Sequence, residues 1–266
     1  MVTVSDMPST ASVVVTATLI GSDPEYSVTE TLNPSGVAGL GVDYLGEYSI
    51  TFNNPQVKGN STVHATIPKV YTYGAYWSEM ITYTILIDKN NSNTATACTY
   101  ADDALGMTKG SSSWDNMPIF KQIRPCVFQS GQVNYYLNPD NWNEKYGTNE
   151  LSVLTGEDGD VMIQFPKFAY KIKTENNVIT VSVSTDPAVI ENDSDYTYDA
   201  FSRLEEGDLN FFYKGAFKGS LDGDGKLRSV VGTKPANNKN IGAFRAAAQA
   251  NGAHYQQSTY AQLKAL

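Results

Sequence analysis

Residues 156–171 read GEDGDVMIQFPKFAYK, an acidic turn with two glycines that runs straight into an apolar segment interrupted by Gln164 and Pro166. Val161, Ile163 and Phe165 fall on one face at a period of two. Phe168, Tyr170 and Ile172 resume the alternation after Pro166, so the stretch predicts a strand with a bend or bulge at the proline. Glu175-Asn176-Asn177 closes a hairpin. On the way back Ile179, Val181 and Val183 alternate with Thr180, Ser182 and Ser184, giving one apolar and one hydroxylated face. This pattern is read as the central hairpin of a C-terminal domain.

Outward from that hairpin, the composition bounds the rest. A chain of 266 residues with 41% apolar and 18% charged residues is an ordered globular protein of one large or two ordinary domains. Its 17 tyrosines, with frequent Thr, Ser and Asn, favour β-structure. A net charge of -9 argues against nucleic acid, whose binders concentrate Lys and Arg on one face. Cys98 and Cys126 are too few for a disulfide framework and read as buried free thiols. MVTVSDMPST has neither a basic start nor an apolar core, and no apolar segment approaches the ~20 residues needed to span a bilayer. The expectation is a soluble protein without membrane insertion which, if it works outside its producing cell, leaves by a route other than secretion.

Toward the N-terminus, Val13, Val15, Ala17 and Leu19 alternate with Val14, Thr16 and Thr18. Short segments follow at 26–32, 37–42, 46–52, 61–67 and 70–73, each bounded by Gly, Pro or Asn. With no helical period between them they predict a small β-sandwich over residues 1–78. Leu45-Gly46-Glu47-Tyr48-Ser49-Ile50 resembles the glycine-then-aromatic start of a strand in carboxypeptidase-regulatory-like, immunoglobulin-like modules. His64 has no second ligand nearby in sequence and reads as a solvent-facing strand residue. Residues 79–124 read as a connecting strand, Ile81–Ile87, followed by a linker.

Several motifs then occur in a fixed order. Ile-Asp-Lys-x-x-Ser-Asn stands at 87–93, Thr-Tyr-x-Asp-Asp-Ala-x-Gly-Met-Thr at 99–108 and Ile-Arg-Pro-Cys at 123–126. Gly-Asp-Val-Met-Ile-x-Phe-Pro-Lys-Phe stands at 159–168, Gly-Ala-Phe-Lys-Gly-Ser at 215–220 and Lys-Leu-Arg-Ser at 226–229. Over about residues 80–266 this resembles a family of bacteriophage and prophage tail-fibre, minor structural or receptor-binding proteins. Ile241–Ala250 has an apolar face of Ile241, Phe244, Ala247 and Ala248, a cap at Asn240 and a stop at Asn251-Gly252, and a second helix starts at Thr259. Helix, Gly-rich turn, aromatic and helix after β-hairpins resemble the C-type-lectin-like fold of formylglycine-generating-enzyme type over residues 125–266. In the related proteins the chain continues past the position matching Leu263, so the resemblance implies an incomplete lectin-like domain, either a fragment or a shortened structural piece.

The fold class expected is therefore mainly β, an N-terminal Ig-like sandwich followed by an α+β C-type-lectin-like domain. The resemblance implies a virion structural protein on the phage surface, a tail or head fibre or receptor-binding component attaching to host cells. It further implies a homotrimer that contacts other virion proteins and a host glycan or protein. Two alternatives stand beside it, a capsid or tail decoration protein without receptor contact and a bacterial carbohydrate-binding adhesin.

Chemistry is sparse. Asp222–Lys226 fails as an EF-hand loop, since Lys226 and Thr233 stand where oxygen ligands are needed, and reads as a hairpin turn. Glu157-Asp158-Gly159-Asp160 reads as a solvated turn rather than a cation site. Asp102-Asp103 and Glu205-Glu206 are sequence neighbours, which seldom flank one glycosidic bond. His64 and His254 lack a triad context, and nothing after Cys126 is cysteine, as formylglycine-generating chemistry would need. No enzyme activity, catalytic residue, cofactor or metal is assigned. Trp114, Trp142, Tyr135, Tyr136 and Tyr146 cluster in a polar, Asn- and Gly-rich segment and are the candidate ligand-binding residues, of the kind that stack on sugar rings or a partner chain. Tyr196, Tyr198, Phe201, Phe211, Phe212 and Tyr213 read as core or subunit-interface residues.

Overall fold

The computed structural model describes residues 1–266 except 23–24, 43–45, 60–61, 66–72, 204–206 and 253. The chain is mainly β and divides into two compact units, each discontinuous in sequence. Unit 1 comprises Met1–Met107 and Lys173–Asp186, and unit 2 comprises Thr108–Ile172 and Pro187–Leu266. The sequence pattern places divisions at 78 and 124. The compact units follow strand pairing instead, because the second hairpin strand returns to a partner about a hundred residues earlier.

Unit 1 opens with β1 (Val2–Ser5), β2 (Val14–Leu19), β3 (Ser27–Thr31), β4 (Val37–Ala38) and β5 (Gly46–Phe52). These are followed by β6 (Val57–Gly59), β7 (Thr62–Ala65), β8 (Tyr73–Trp77), β9 (Thr82–Asp88) and β10 (Cys98–Asp102). One sheet has the order β4-β1-β8-β6 and another β3-β2-β5-β7. Val2, Val4, Ala38 and Val57 of the first and Val15, Ala17, Tyr48 and Ile50 of the second belong to one buried cluster, so the two sheets share a core. The alternation read in β2 holds, with Val13, Val15 and Ala17 buried and Thr16 and Thr18 half-exposed. The parallel pairing of β1 with β8 was not anticipated. Of the expected segments, 61, 66–67 and 70–72 lie outside the described residues, as do Glu205 and Glu206. His64 sits in β7, in register with Glu47.

Unit 2 contains β11 (Arg124–Gln129), β12 (Gln132–Asn138), β13 (Asn141–Lys145) and β14 (Asp160–Pro166). The chain then enters β15 (Ala169–Glu175) and β16 (Val178–Ser184). The GEDGD stretch thus gives two strands rather than one bent one. Pro166 lacks an N–H and ends β14, the Lys167 N–H donates to Asn210 O at 2.8 Å, and β15 enters a different sheet. Asn176 and Asn177 both have positive φ, 48° and 64°, as a two-residue type I′ turn requires. The hairpin is not the centre of a C-terminal domain. Along its whole length β16 pairs with β9 of unit 1, from Val178 against Asp88 to Ser184 against Thr82. Its hydroxylated face is also the more buried toward the C-terminal end. Ser182 is 1% exposed and Ser184 0%. Burial is tolerated because the hydroxyls satisfy one another: Ser184 meets Thr82 at 2.8 Å, and Thr84 bridges Ser182 at 2.7 Å and Asp102 at 2.5 Å.

The remaining elements are α1 (Ala188–Asn192), β17 (Ser202–Arg203), β18 (Gly207–Asp208), β19 (Phe211–Gly215), β20 (Ser220–Leu221) and β21 (Leu227–Arg228). Two helices, α2 (Ile241–Gln249) and α3 (Tyr260–Ala265), complete the chain. The main sheet of unit 2 is antiparallel, in the order β13-β12-β11-β14-β19. Asn240 caps α2 through the Ala243 N–H at 2.8 Å. Thr259 and Gln262 form a capping box on α3. Ala247 and Ala248 are buried on α2, whereas Ile241, expected on the same face, is exposed. Phe168, Phe201, Phe212 and Phe165 stack in sequence with centroids 5.0–5.3 Å apart, so Phe201 and Phe212 are core as read; Phe211 is exposed.

Candidate functional site

Adjacent residues on a strand point to opposite faces, and residues in register across strands share one. Arg124 faces Gln164 and Gln164 faces Tyr213, while Cys126 lies opposite both Met162 and Tyr136, and Phe128 opposite Asp160. These residues therefore occupy one face of the unit 2 sheet. At one end the Arg124 guanidinium lies 4.0 Å from the Tyr136 ring and 4.5 Å from the Tyr146 ring, a cation held between two aromatic faces. Tyr146 remains 57% exposed. Below it, the Tyr136 and Tyr213 hydroxyls donate to Gln164 Oε1 at 2.8 and 3.2 Å, and Gln164 Nε2 donates to Gln122 O at 3.4 Å. A buried amide with these bonds made fixes the aromatic row in place.

Two groups on this face, the Cys126 thiol and the Tyr213 hydroxyl, are held in their neutral forms. Burial pushes the Cys126 thiol up to about 12, with Arg124 opposing the shift. The Tyr213 hydroxyl is pushed up to about 12 by burial, then by Tyr136 and Cys126. A fully buried thiol with so high a pKa is no nucleophile at neutral pH. This end of the face is built to stack and to hydrogen-bond.

At the other end the acidic turn is held by Arg228. Its Nε donates to Asp160 Oδ1 at 3.0 Å and its Nη2 to Gly156 O at 3.1 Å, and Nη1 lies 3.6 Å from Asp222. The Ser229 N–H also donates to Asp160 Oδ1, at 2.7 Å. Asp158 accepts from the Tyr135 hydroxyl at 2.9 Å. Asp222 Oδ1 accepts the Asp224 and Lys226 N–H groups, so its loop is a turn closed by its own aspartate, as read. The turn 157–160 is not the freely solvated one expected, since Asp160 is only 6% exposed. Among the described residues no three His, Cys, Asp or Glu side chains converge on a point where a metal could sit.

A half-open cavity of about 250 Å³ lies beside this pair. Asp160, Met162 and Gly215 come to it from the sheet face, Leu227 and Arg228 from β21, and Tyr255 to Ser258 from the loop before α3. Tyr255 is anchored edge-on to Phe128 with centroids 6.1 Å apart. Asn251 holds the end of α2 to β21 by donating to Leu227 O at 2.8 Å.

The five aromatic residues singled out from sequence do not form one patch. Tyr136 and Tyr146 flank Arg124. Tyr135 and Trp142 pack on the opposite face, against the buried Val127, Leu137 and Val161. Trp114 lies in a separate 3-10 turn, its Nε1 donating to Thr108 O at 2.9 Å and its ring edge-on to Phe120. Sequence reasoning missed Arg124, Gln164 and Tyr255, and set Asp160 aside with its turn. Strand parity, applied outward from Tyr136, was the signal available for the first two.

No described helix is long and apolar enough to cross a membrane. Comparison with protein-family models, with curated proteins and with solved structures finds no match to the chain.

Proposed function

We propose that this chain is a structural protein of a bacteriophage particle, carried at the particle surface as a tail-fibre, head-fibre or receptor-binding component, and that it attaches the particle to the host cell. In this reading the paired sheets of unit 1 are an immunoglobulin-like spacer and unit 2 is a C-type-lectin-like presenting module. The protein is a binder without enzyme activity. It works as a homo-oligomer, a trimer by analogy with phage fibres, among other virion proteins. Support comes first from the order of motifs between residues 87 and 229.

The observation that carries the reading is the Tyr136–Arg124–Tyr146 stack. Tyr and Arg are the side chains that most often anchor binding surfaces, here Tyr136 is held by a buried amide, and the outermost ring is left open to solvent. Mass spectrometry of purified particles from the producing strain tests it, together with light scattering of the purified protein. The chain is expected among the virion proteins and at three times its own mass in solution. A stable monomer missing from the particles contradicts the reading.

A further inference from the structure

A guanidinium has two flat faces and one edge, and all of its N–H donors lie along the edge. In Arg124 the faces are occupied, by the Tyr136 ring at 4.0 Å and the Tyr146 ring at 4.5 Å. The edge is not. Arg124 is half-buried, and its guanidinium makes no hydrogen bond or ion pair with any described residue. A cation drawn partly out of water and given no acceptor by its own chain keeps its donors for water or for a partner.

The charges around it are already engaged. Glu144 accepts from the Asn141 and Asn138 amides at 2.7 and 3.4 Å. Lys145 belongs to the opposite face, where it pairs with Glu150 at 2.8 Å and lies over the Tyr135 ring. Asp160 shares the face of Arg124 but sits at its other end, balanced by Arg228. Apolar surface, by contrast, is open here. Leu151, opposite Glu144 across a β-bridge, is 75% exposed, and Tyr146, two residues along from Glu144, is 57% exposed. Partners in register and residues two apart share a face, so an open leucine and an open tyrosine lie on the same side of the sheet as the unused edge.

This combination selects a carboxylate carried by a protein. A carboxylate is planar and presents two oxygens at the spacing of two guanidinium N–H groups, and an arginine clamped between rings is already oriented to meet it. A polyphosphate backbone needs a track of cations, whereas this face offers one at this end and the chain carries a net charge of -9. The site is a surface rather than an enclosure, so a small carboxylate by itself is held by one charge pair and little else. Tight binding needs the acid to arrive among apolar side chains that cover Tyr146 and Leu151 and exclude water from the pair.

We infer that the Tyr136–Arg124–Tyr146 stack is the docking point for an acidic side chain, Asp or Glu, of a partner protein other than a second copy of this chain. Arg124 donates two parallel N–H bonds to the carboxylate, while Tyr146 and Leu151 pack on its apolar neighbours. This deepens the attachment reading and rests on it only for where the partner is found, at the host-cell surface.

Heteronuclear NMR on the purified full chain tests the site through the Arg124 Nε–H resonance, identified by its loss in Arg124→Lys. The probes are N-acetylglutamate methylamide, its glutamine counterpart, glucuronate and inorganic phosphate. The glutamate probe is expected to move the resonance to saturation with Kd below about 50 mM, as suits one charge-assisted pair, and the glutamine counterpart to bind at least about tenfold more weakly. Tyr146→Ala, at an exposed ring, should weaken the glutamate probe at least about threefold with the melting temperature unchanged. A resonance indifferent to the glutamate probe in folded protein overturns the inference, as does an equal response to the glutamine counterpart. Tighter binding of glucuronate or phosphate overturns the choice of a protein carboxylate. Self-association of the chain that is lost in Arg124→Lys places the acid on a second copy and overturns the choice of a different partner. Particle adsorption separates the site from the wider reading. Particles that need the chain to adsorb, with no glutamate response at Arg124, remove the site and keep attachment, and a glutamate response with adsorption independent of the chain does the reverse.

Discussion

Replacing Arg228 by Met is the sharpest structural perturbation available in unit 2. The substitution keeps an apolar stem of similar length and removes three contacts at once, to Asp160 Oδ1, Gly156 O and Asp222. Asp160, 9% exposed at its side chain, is left with the Ser229 N–H alone. Breaking a buried pair from one side costs about 3–5 kcal/mol, because the surviving charge is stranded in a medium that solvates it poorly. Removing the charge as well should help, so Asp160→Asn with Arg228→Met is expected to recover at least about 1.5 kcal/mol of that loss. Urea denaturation reports the change through Trp114 and Trp142, both in unit 2. With a urea dependence of about 1–3 kcal/mol/M, the single variant should shift the midpoint of the unit 2 transition down by at least about 1 M. A loss below about 1 kcal/mol, or a double variant no more stable than the single one, refutes the assignment of Arg228 as the counter-charge that holds the acidic turn.

Other outcomes follow from the same structure. Thr84→Val leaves the buried Ser182 hydroxyl and Asp102 without their shared partner and should cost unit 1 about 1–3 kcal/mol by thermal melting, whereas Thr84→Val with Ser182→Ala should be close to neutral. Cys126 has its folded pKa raised from 9.0 to about 12, so its contribution is fully present below pH 9 and is lost as pH rises through about 12. Unit 2 should lose about 1.4 kcal/mol per pH unit across that window in chemical denaturation, and Cys126→Ala should flatten the slope. Tyr146→Ala removes a ring that is 57% exposed and should change stability by less than about 0.5 kcal/mol, while adsorption of particles carrying it falls severalfold. Unchanged adsorption would detach the aromatic stack from function.

Much of the β-structure could be read from alternation alone. Val15 and Ala17 declare the inner face of β2, and Asn176-Asn177 declares the turn between β15 and β16, because local sterics leave few other conformations. Destinations were not legible. Pro166 announces a break, but nothing local says that β14 stays in the unit 2 sheet while β16 returns to Thr82–Asp88. Burial on β16 also ran against the pattern. Serine faces inward there because Thr82 and Thr84 wait opposite, about a hundred residues away, and a hydroxyl is cheap to bury only when its partner is known.

The candidate site shows both limits. Tyr135 and Tyr136 could not have shared a surface, since neighbours on a strand diverge, and that much was available from the sequence. That Trp142 would fold over Val127 and Val161, rather than stay in the polar surroundings its neighbours suggest, depended on the β12–β13 hairpin. Gly159 carries a constraint visible only in three dimensions. At φ 132° a Cβ there would run into the Phe128 carbonyl, so the turn that delivers Asp160 to the sheet needs glycine at this point.

The most direct measurement of the central claim is adsorption to host cells of particles made with and without this chain, at matched particle counts. The attachment reading predicts that particles lacking it are assembled but adsorb at least about tenfold more slowly, and that added purified protein competes with intact particles for the cells. Normal adsorption by particles shown to lack the chain contradicts it.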